Sequence, residues 1–477
     1  MGRHKLRKDV NNAVPGPTET ETGRGGAAKP ATLTENLANR LYLVSSQPLK
    51  TTKDFLLFKA LRTLGGTWSP LPERIKHRLR KSAAKRDPQR YLSLAQSANA
   101  GRSLAGRTSL VRSPDFVPYG PPAPIEPDVK VIAFYLPQFH PFPENDRWWG
   151  KGFTEWVNVG KALPVFEGHY QPHCPIHLGY YDLRVPSVME EQAKIAREYG
   201  VGGFAYYFYW FAGKTLMEAP LRAMLGNPDV DMPFCLSWAN ENWTRRWDGA
   251  EHDVLIGQSH SIEDSRALLR HLAEYFRDPR YIRIGNKPVF MVYRAEIIPD
   301  IKATTEMWRS EAAALGFDGL YLMATQTSGV KDPRAMGFDA GVEFPPLGFG
   351  APKDTIGYEI HKPNFVGRIH DYREVVKLAL SSPEPDFPRF RSVMLAWDNT
   401  ARKLERADIF VDFAIEDYRR WLAELCDRAR AHQGAKDEKI IFVNAWNEWA
   451  EGTHLEPDQR MGFAYLQATY EAVQQKR

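Results

Sequence analysis

The 477-residue sequence has few cysteines and no long apolar run. Cys174, Cys235 and Cys426 form no CxxC pair, so the sequence indicates neither a disulfide framework nor a cysteine zinc site. A membrane-spanning helix needs about eighteen consecutive apolar residues, and no such run is present. Residues 1–5 lead into no apolar segment of the kind found in secretory signals. These absences predict a cytoplasmic protein.

Motifs for phosphate and metal are also missing. The sequence has no Walker loop and no GxGxxG after a predicted strand, because the glycines at 23–26 and 348–350 lack that context. The histidines, among them His140, His169, His173 and His177, show no HExxH or comparable ligand spacing. The sequence therefore predicts no metal and no cofactor.

Charge divides the chain into two parts. Residues 1–125 hold 22 Lys and Arg against 8 Asp and Glu, whereas the remainder holds 41 against 50. This asymmetry predicts a basic N-terminal arm, residues 1–125, followed by a catalytic domain, residues 126–477.

The composition of the arm changes along its length. Residues 9–35 are nearly devoid of apolar side chains and are predicted to be disordered. Residues 52–64 and 73–90 show a basic, partly amphipathic pattern that favours short helices, and six prolines in residues 109–127 predict a linker. Three interpretations stay open: a solvated arm without a partner, a peripheral contact with anionic lipid at the inner face of the membrane, and nucleic-acid binding. The last is least favoured because no recognition motif accompanies the charge.

From Val129 onward, short apolar runs alternate with helical or irregular stretches. Eight runs predict strands: 131–136, 203–209, 234–238, 289–293, 320–324, 340–344, 393–397 and 440–446. Apolar residues at three- and four-residue spacing predict helices at 187–199, 262–276, 301–315 and 413–430. Gly200 and Gly316 stand where helix C-caps are expected. This alternation over about 350 residues predicts an α/β fold, a (β/α)8 TIM-type barrel with long βα loops.

Such barrels place their sites at the carboxyl ends of the strands, and polar and aromatic residues gather there in this sequence. Indole and phenol rings suit the apolar faces of sugars, while amides and carboxylates pair with sugar hydroxyls. The predicted partner is therefore an oligosaccharide or polysaccharide. The predicted substrate-binding residues are Tyr135, Gln138, His140, Trp149, Glu155, Trp156, Tyr209, Trp238, Asn240, Glu241, Trp243, Glu343, Asp398, Asn447 and Trp449.

Two carboxylates stand out after the last predicted strand. Glu448 and Glu451 are three residues apart, so a helical turn would bring their Cβ atoms to about 5–6 Å. Glu-x-x-Glu is also common on solvated helix faces, where Lys or Arg partners are expected. Here the pair follows a buried strand, is flanked by Trp446 and Trp449, and ends at Gly452. Cleavage of a glycosidic bond typically uses two such carboxyl groups, about 5–5.5 Å apart in retaining enzymes. Glu448 and Glu451 are the predicted catalytic residues.

Four segments together resemble the WbsX family, bacterial proteins with a domain like glycoside hydrolase family 99 that are found with O-antigen and capsule biosynthesis. They are AFYLPQFH at 133–140, GFTEW at 152–156, WANENW at 238–243 and WNEWAEGT at 446–453. The resemblance covers residues 129–475.

The resemblance implies a retaining, metal-free mechanism of the family-99 type. One glutamate deprotonates the sugar 2-hydroxyl to give a 1,2-anhydro intermediate, and the other is the acid/base. The matching positions are Glu448 as base and Glu451 as acid/base. A raised pKa is then expected for Glu451 and an ionised carboxylate for Glu448.

Three functions remain as hypotheses. The first is a retaining endo-α-glycosidase or transglycosylase that acts on a bacterial surface polysaccharide or its precursor. The second is a glycosyltransferase of O-antigen, capsule or lipopolysaccharide biosynthesis, which the WbsX resemblance favours although no nucleotide-sugar motif is present. The third is a noncatalytic sugar-binding barrel, which would need the tryptophans but not both glutamates.

Overall fold

The computed structural model describes residues 112–245, 250–329, 331–351, 353, 358–362, 364–432 and 434–474. The predictions for the arm, namely disorder at 9–35 and basic helices at 52–64 and 73–90, lie outside these residues.

Eight parallel strands form a barrel within the described residues. Their bounds are β1 Lys130–Tyr135, β2 Val201–Phe211, β3 Phe234–Trp238, β4 Lys287–Val292, β5 Tyr321–Thr325, β6 Ala340–Val342, β7 in two pieces, Arg389–Phe390 and Ser392–Met394, and β8 Ile440–Asn444. Each strand pairs in parallel with the next, and β8 pairs with β1. Apolar side chains fill the strands on both faces, as parallel sheets covered by helices require. The predicted TIM-type barrel is confirmed.

The seventh strand closes the barrel and corrects one prediction. Its first piece pairs with β6 and its second with β8, because the strand is interrupted at Arg391. The sequence predicts residues 393–397, yet the strand begins four residues earlier and ends at Met394. Arg389 and Arg391 interrupt the apolar run, so hydrophobicity does not predict a strand there. Both side chains are buried and contact Glu343 and Glu384. Ion pairs thus allow charged residues in a buried strand, and an apolar pattern does not predict such a strand.

Helices cover the outside of the barrel and fill its loops. Their bounds are Pro143–Trp149, Glu155–Lys161, Pro186–Glu198, Ala219–Leu225, Ile262–Arg277, Ile301–Ala314, Tyr372–Ser381, Thr400–Lys403, Ile415–Ala431 and Ala464–Gln474. The four predicted helices agree with these bounds to within two residues. Gly200 and Gly316 follow two of them with φ of 81° and 88°, the left-handed conformation expected after a helix. None of the helices in the described part of the chain combines the length and apolar composition needed to cross a bilayer.

Short paired strands shape the loops at the carboxyl rim. Trp243–Arg245 pairs with Ala250–Ile256, and Lys214–Leu216 pairs antiparallel with the end of β2. Arg368–Asp371 runs parallel to Asp408–Val411 beside the barrel. Asn447–Glu448 forms a hairpin with Thr453–His454 directly after β8.

The segment predicted as a linker lies partly against the barrel domain. Val117 donates its backbone N–H to Met461 and accepts from Phe463. The Tyr119 hydroxyl donates to Glu198 at 3.1 Å, and Ile125 packs against the core. Residues 113–125 are therefore not a free spacer in the described chain. The domain boundary near residue 125 stays a prediction.

Candidate active site

A short hairpin after β8 carries both predicted catalytic carboxylates. Glu448 ends its first strand, and residues Trp449–Glu451 form a single 3₁₀ turn instead of the expected α-helical turn. Gly452 reverses the chain with φ 63°, and a Cβ there would lie 3.0 Å from the backbone N and O of Asp398. Conformation and space both require glycine at this position. The turn thereby stays pressed against the loop that follows β7.

The base of the hairpin is fastened to the end of β1. Asn447 accepts the backbone N–H of Leu136 at 2.7 Å and donates to the Leu136 carbonyl at 3.0 Å. Its amide also donates to the Tyr181 hydroxyl at 3.2 Å. Asn447 is fully buried and is not part of the cavity wall, so it fixes the hairpin from behind the wall. Its contact with a substrate stays a prediction.

One arginine joins Glu448 and Glu451. Arg402, in the short helix after β7, contacts Glu448 Oε2 through Nη2 at 2.8 Å and Glu451 Oε1 through Nη1 at 2.7 Å. Its Nε contacts Oε1 of the fully buried Glu155 at 2.8 Å. Three carboxylates of the described residues therefore share one guanidinium, with the planar geometry that arginine offers and lysine does not.

Burial and the neighbouring charges shift the pKa values of Glu448 and Arg402. Burial raises the pKa of Glu448 to about 8; the Arg402 charge opposes this shift, whereas Glu451 and Glu155 add to it. Burial acts to lower the pKa of Arg402, but the three carboxylates raise it, so the guanidinium stays charged. The raised pKa favours the protonated form of Glu448 at neutral pH, within a set of carboxylates that titrate together. This result is opposite to the expectation of an ionised Glu448 at rest.

A cavity of about 610 Å³ opens above this cluster, within the size range of small-molecule sites. Of the predicted residues, Gln138, Tyr209, Glu241, Trp243, Glu448 and Glu451 line it. Glu448 Oε1 and Glu451 Oε2 have no hydrogen bond or ion pair within the described chain. Each carboxylate therefore keeps one oxygen available to a ligand.

Gln138 places an unpaired amide on the cavity wall. Its side chain is buried, and neither Nε2 nor Oε1 finds a hydrogen-bond partner among the described residues. A buried amide without partners is costly, so such a group is typical of a site that awaits a polar ligand. One donor and one acceptor on the same side chain match two neighbouring sugar hydroxyls.

Most of the other predicted substrate-binding residues support the cavity from behind. Tyr135 donates to Gln192 at 2.7 Å, and His140 Nδ1 lies 2.9 Å from the Pro137 carbonyl. Asn240 bridges to the backbone of Arg294 at 2.8 and 2.9 Å. Trp149, Trp156, Trp238 and Trp449 also lie off the cavity wall, in contact with other aromatic rings. These side chains lie at the rim, as predicted, but they pack against other residues of the rim and do not line the cavity.

Two further predicted carboxylates are structural. Glu343 contacts Arg391 at 3.0 Å and accepts from the Ser392 backbone N–H at 3.1 Å, which joins β6 to β7. Asp398 contacts His169 at 2.5 Å and Gln171 at 2.6 Å. Burial acts to raise the pKa of Asp398, but His169 and hydrogen bonds from Thr400 and Gln171 bring it to about 2. Asp398 therefore stays ionised and holds the loop that carries Arg402.

Several cavity residues were missed. The most consequential is Arg402, four residues beyond Asp398 in a loop already identified as part of the rim. Its charge could have been recognised as a partner for a carboxylate pair. The other missed side chains with polar or aromatic groups are Tyr207, Asn242, Thr244, Tyr293, Phe344, Trp397, Asn399, Lys403, Arg368, His370, Asp408 and Phe410. Of these, Arg368, His370, Asp408 and Phe410 come from the pair of strands outside the barrel, which no barrel pattern predicts.

The barrel, the aromatic cavity and the carboxylates at its carboxyl rim are features of a carbohydrate-active enzyme. Residues 131–469 match the family model described as Glycosyltransferase WbsX, and the chain belongs to this family. The resemblance seen in the four sequence segments is thereby confirmed.

Two relatives of similar sequence carry the name uncharacterized protein WxcX. The chain is 47% identical over 343 residues to uncharacterized protein WxcX of Xanthomonas campestris pv. campestris strain B100. The same identity and length hold for WxcX of strain ATCC 33913. The match covers 72% of this chain and 49% of each relative, so it spans about half the length of those proteins.

Similar solved structures include two glycoside hydrolase-related proteins. A glycoside hydrolase-like protein aligns with a TM-score of 0.48 at 15% identity, covering 77% of this chain and 99% of the other. The GH99 endo-alpha-mannosidase from Bacteroides thetaiotaomicron aligns with a TM-score of 0.45 at 15% identity, covering 72% and 96%.

Proposed function

We propose that this barrel breaks or transfers a glycosidic bond of a bacterial surface polysaccharide or its precursor, with Glu448 and Glu451 as a retaining pair. The observation that carries the proposal is that both carboxylates contact one guanidinium and both line the cavity. Cleavage of a glycosidic bond typically uses two such carboxyl groups. The retaining outcome rests on the resemblance of the four sequence segments to the family-99 domain.

In the proposed first step, Glu448 takes the proton of the sugar 2-hydroxyl while O2 bonds to C1. The bond from C1 to the leaving oxygen breaks, and Glu451 donates a proton to that oxygen. In the second step Glu451 takes a proton from water or an acceptor hydroxyl, whose oxygen bonds to C1. The C1–O2 bond opens and O2 recovers its proton from Glu448. Water gives hydrolysis and a sugar hydroxyl gives transglycosylation.

The raised pKa of Glu448 predicts a pH dependence. A carboxylate with a pKa of about 8 is a stronger base than an ordinary glutamate once ionised. The reaction needs Glu448 ionised and Glu451 protonated, so kcat/KM is expected to be bell-shaped in pH, with one limb near about pH 8. Initial rates on the cleaved saccharide across this range locate that limb. A profile without a limb near about pH 8 would show that the raised pKa of Glu448 does not control the reaction.

Gln138 gives a second prediction. Gln138→Ala is expected to raise KM for the saccharide about 10-fold with a smaller change in kcat, because two neutral hydrogen bonds to the ligand are lost. Steady-state kinetics separate the two constants. The surface variant Gln467→Ala, whose amide bonds Glu471 one helical turn away, serves as control. An unchanged KM in Gln138→Ala would remove this residue from the binding surface.

The family description supports one alternative, a glycosyltransferase of O-antigen or capsule biosynthesis. Purified protein is incubated with the surface polysaccharide and lipid-linked oligosaccharides of the producing bacterium, with and without nucleotide sugars, and products are read by mass spectrometry. Shortening or rearrangement without a nucleotide sugar supports the proposed reaction. Growth by one sugar only with a nucleotide donor would refute it and reassign the glutamates to acceptor activation. Binding without turnover would leave the noncatalytic barrel.

A further inference from the structure

Three buried side chains converge beneath the hairpin that carries Glu448. They are His173, from the loop before the helix Pro186–Glu198, His454, from the second hairpin strand, and Asp458. His173 Nδ1 lies 2.8 Å from His454 Nε2, and His454 Nε2 lies 3.7 Å from Asp458 Oδ2. All three atoms fall within 4.8 Å of one another. None of the three residues lines the cavity.

The hydrogen bonds of His454 aim a lone pair into this cluster. Its Nδ1 lies 2.9 Å from the Glu456 carbonyl, which can only accept, so Nδ1 carries the hydrogen. Nε2 is then the unprotonated nitrogen and faces His173 and Asp458. A histidine whose second nitrogen donates to a backbone carbonyl is the arrangement that orients metal-binding imidazoles.

Asp458 supplies an independent sign of a missing partner. Its Oδ1 accepts the backbone N–H groups of Arg460 at 2.8 Å and Met461 at 2.6 Å. Its Oδ2 is fully buried and has no hydrogen-bond partner among the described residues. The Tyr170 side chain lies close enough to act on the pKa of Asp458 as a hydrogen-bond donor would. A buried carboxylate oxygen without a partner is costly, and a cation would satisfy it.

We propose that His173, His454 and Asp458 bind one divalent cation, and that this cation fixes the hairpin beneath Glu448. Two imidazole nitrogens and one carboxylate oxygen are a donor set that favours zinc. Tetrahedral zinc at about 2.0–2.1 Å from each nitrogen places the nitrogens about 3.3 Å apart. The two rings would therefore separate by about 0.5 Å on binding. The Tyr170 hydroxyl or a water would complete the fourth position.

The position of His454 gives the cation a structural role. His454 pairs across the hairpin with Asn447, and its ring stacks on Trp449 with centroids 3.7 Å apart. Both neighbours flank Glu448 in the chain. The cation would therefore connect the loop around His173 to the strand opposite Glu448, without entering the cavity. This proposal does not depend on the reaction that the cavity performs.

Metal content tests the proposal directly. The full chain is produced with zinc in the medium and purified without a histidine tag or chelator. It is expected to hold about one zinc ion per chain, measured by inductively coupled plasma mass spectrometry. Asp458→Asn keeps the size and the Oδ1 acceptor but loses the charge, and it is expected to weaken zinc binding at least about 10-fold. His173→Gln is expected to act likewise, whereas His177→Gln in the same loop, paired with Glu191, keeps the zinc.

Thermal unfolding of the unaltered chain tests the proposal without a substitution, so it holds even if a variant does not fold. Excess EDTA is expected to lower its Tm by at least about 3 °C, and added zinc to restore it. Cobalt in place of zinc should give the absorption of a tetrahedral centre, lost in Asp458→Asn. A chain that holds no zinc after incubation and shows the same Tm in EDTA would overturn the proposal, leaving a His173–His454 hydrogen bond. Zinc retained by both cluster variants would also overturn it.

Discussion

Glu451→Gln is expected to lower turnover of the natural saccharide by at least about 10³-fold, because glutamine cannot donate a proton to the leaving oxygen. Glu448→Gln is expected to lose a comparable amount, since the 2-hydroxyl then has no base. Both amides still accept a hydrogen bond from Arg402, so folding and saccharide binding should remain. Product formation by mass spectrometry and binding by calorimetry measure the two effects separately.

Glu343→Gln is the matched control for these variants. Its carboxylate is as deeply buried as that of Glu448 but contacts Arg391 behind the barrel wall and lies off the cavity. It is expected to lower stability by about 1–3 kcal/mol and to leave turnover per folded molecule unchanged. If Glu451→Gln loses no more turnover per folded molecule than Glu343→Gln, the pair is not catalytic.

The sequence predicts the strands of the fold wherever a strand is a continuous apolar run. Seven of the eight strands fall where alternation of buried runs and amphipathic helices predicts them, because parallel strands covered on both sides are apolar throughout. The exception, β7, contains Arg389 and Arg391, whose burial depends on Glu343 and Glu384. Those partners are contributed by other segments, and a local pattern cannot reveal them.

The candidate site was readable in part for a related reason. Glu448 and Glu451 are only three residues apart in the chain, so their spacing and the flanking residues predict a pair. Arg402 comes from the loop after another strand, and its meaning appears only when the fold brings it between them. His173 and Asp458 are separated by nearly three hundred residues, and no ligand spacing in the sequence connects them. Local motifs identify functional groups that are close together in the sequence. The fold alone brings together groups from distant segments, such as Arg402 and the carboxylates that it contacts.

The aromatic residues show the same limit. Trp156, Trp238 and Trp449 occur in the segments that identify the rim, and their composition does not distinguish a ring that meets a sugar from one that packs behind it. Trp243 lines the cavity, whereas Trp449 stacks on His454. The distinction depends on which way each loop turns after its strand, and this is decided by contacts such as those of Asn447 and Gly452.

Arg402→Met is expected to cost about 3–5 kcal/mol of unfolding free energy near neutral pH, because it leaves the buried Glu155 and Glu448 and the partly exposed Glu451 without their cation. The Arg402 charge acts to lower the pKa of Glu448, so the folded-state pKa of Glu448 rises when this charge is removed. A folded-state pKa above the unfolded value means that the folded protein binds more protons, so stability is lost as the pH rises. The deficit of Arg402→Met should therefore be smaller at about pH 5 than at about pH 8.

Urea unfolding of Arg402→Met at both pH values measures this difference. Arg294→Met is the control, since Arg294 pairs with the partly exposed Glu241 and Glu296 and its loss is expected to cost about 1 kcal/mol or less. Arg402→Lys should recover only part of the stability, because one ammonium cannot serve three carboxylates placed around a planar guanidinium. A deficit in Arg402→Met that matches Arg294→Met, or that does not change with pH, would show that Arg402 does not hold the cluster together. Such a result would mean that the three carboxylates lie farther apart or closer to water than they do in this structure.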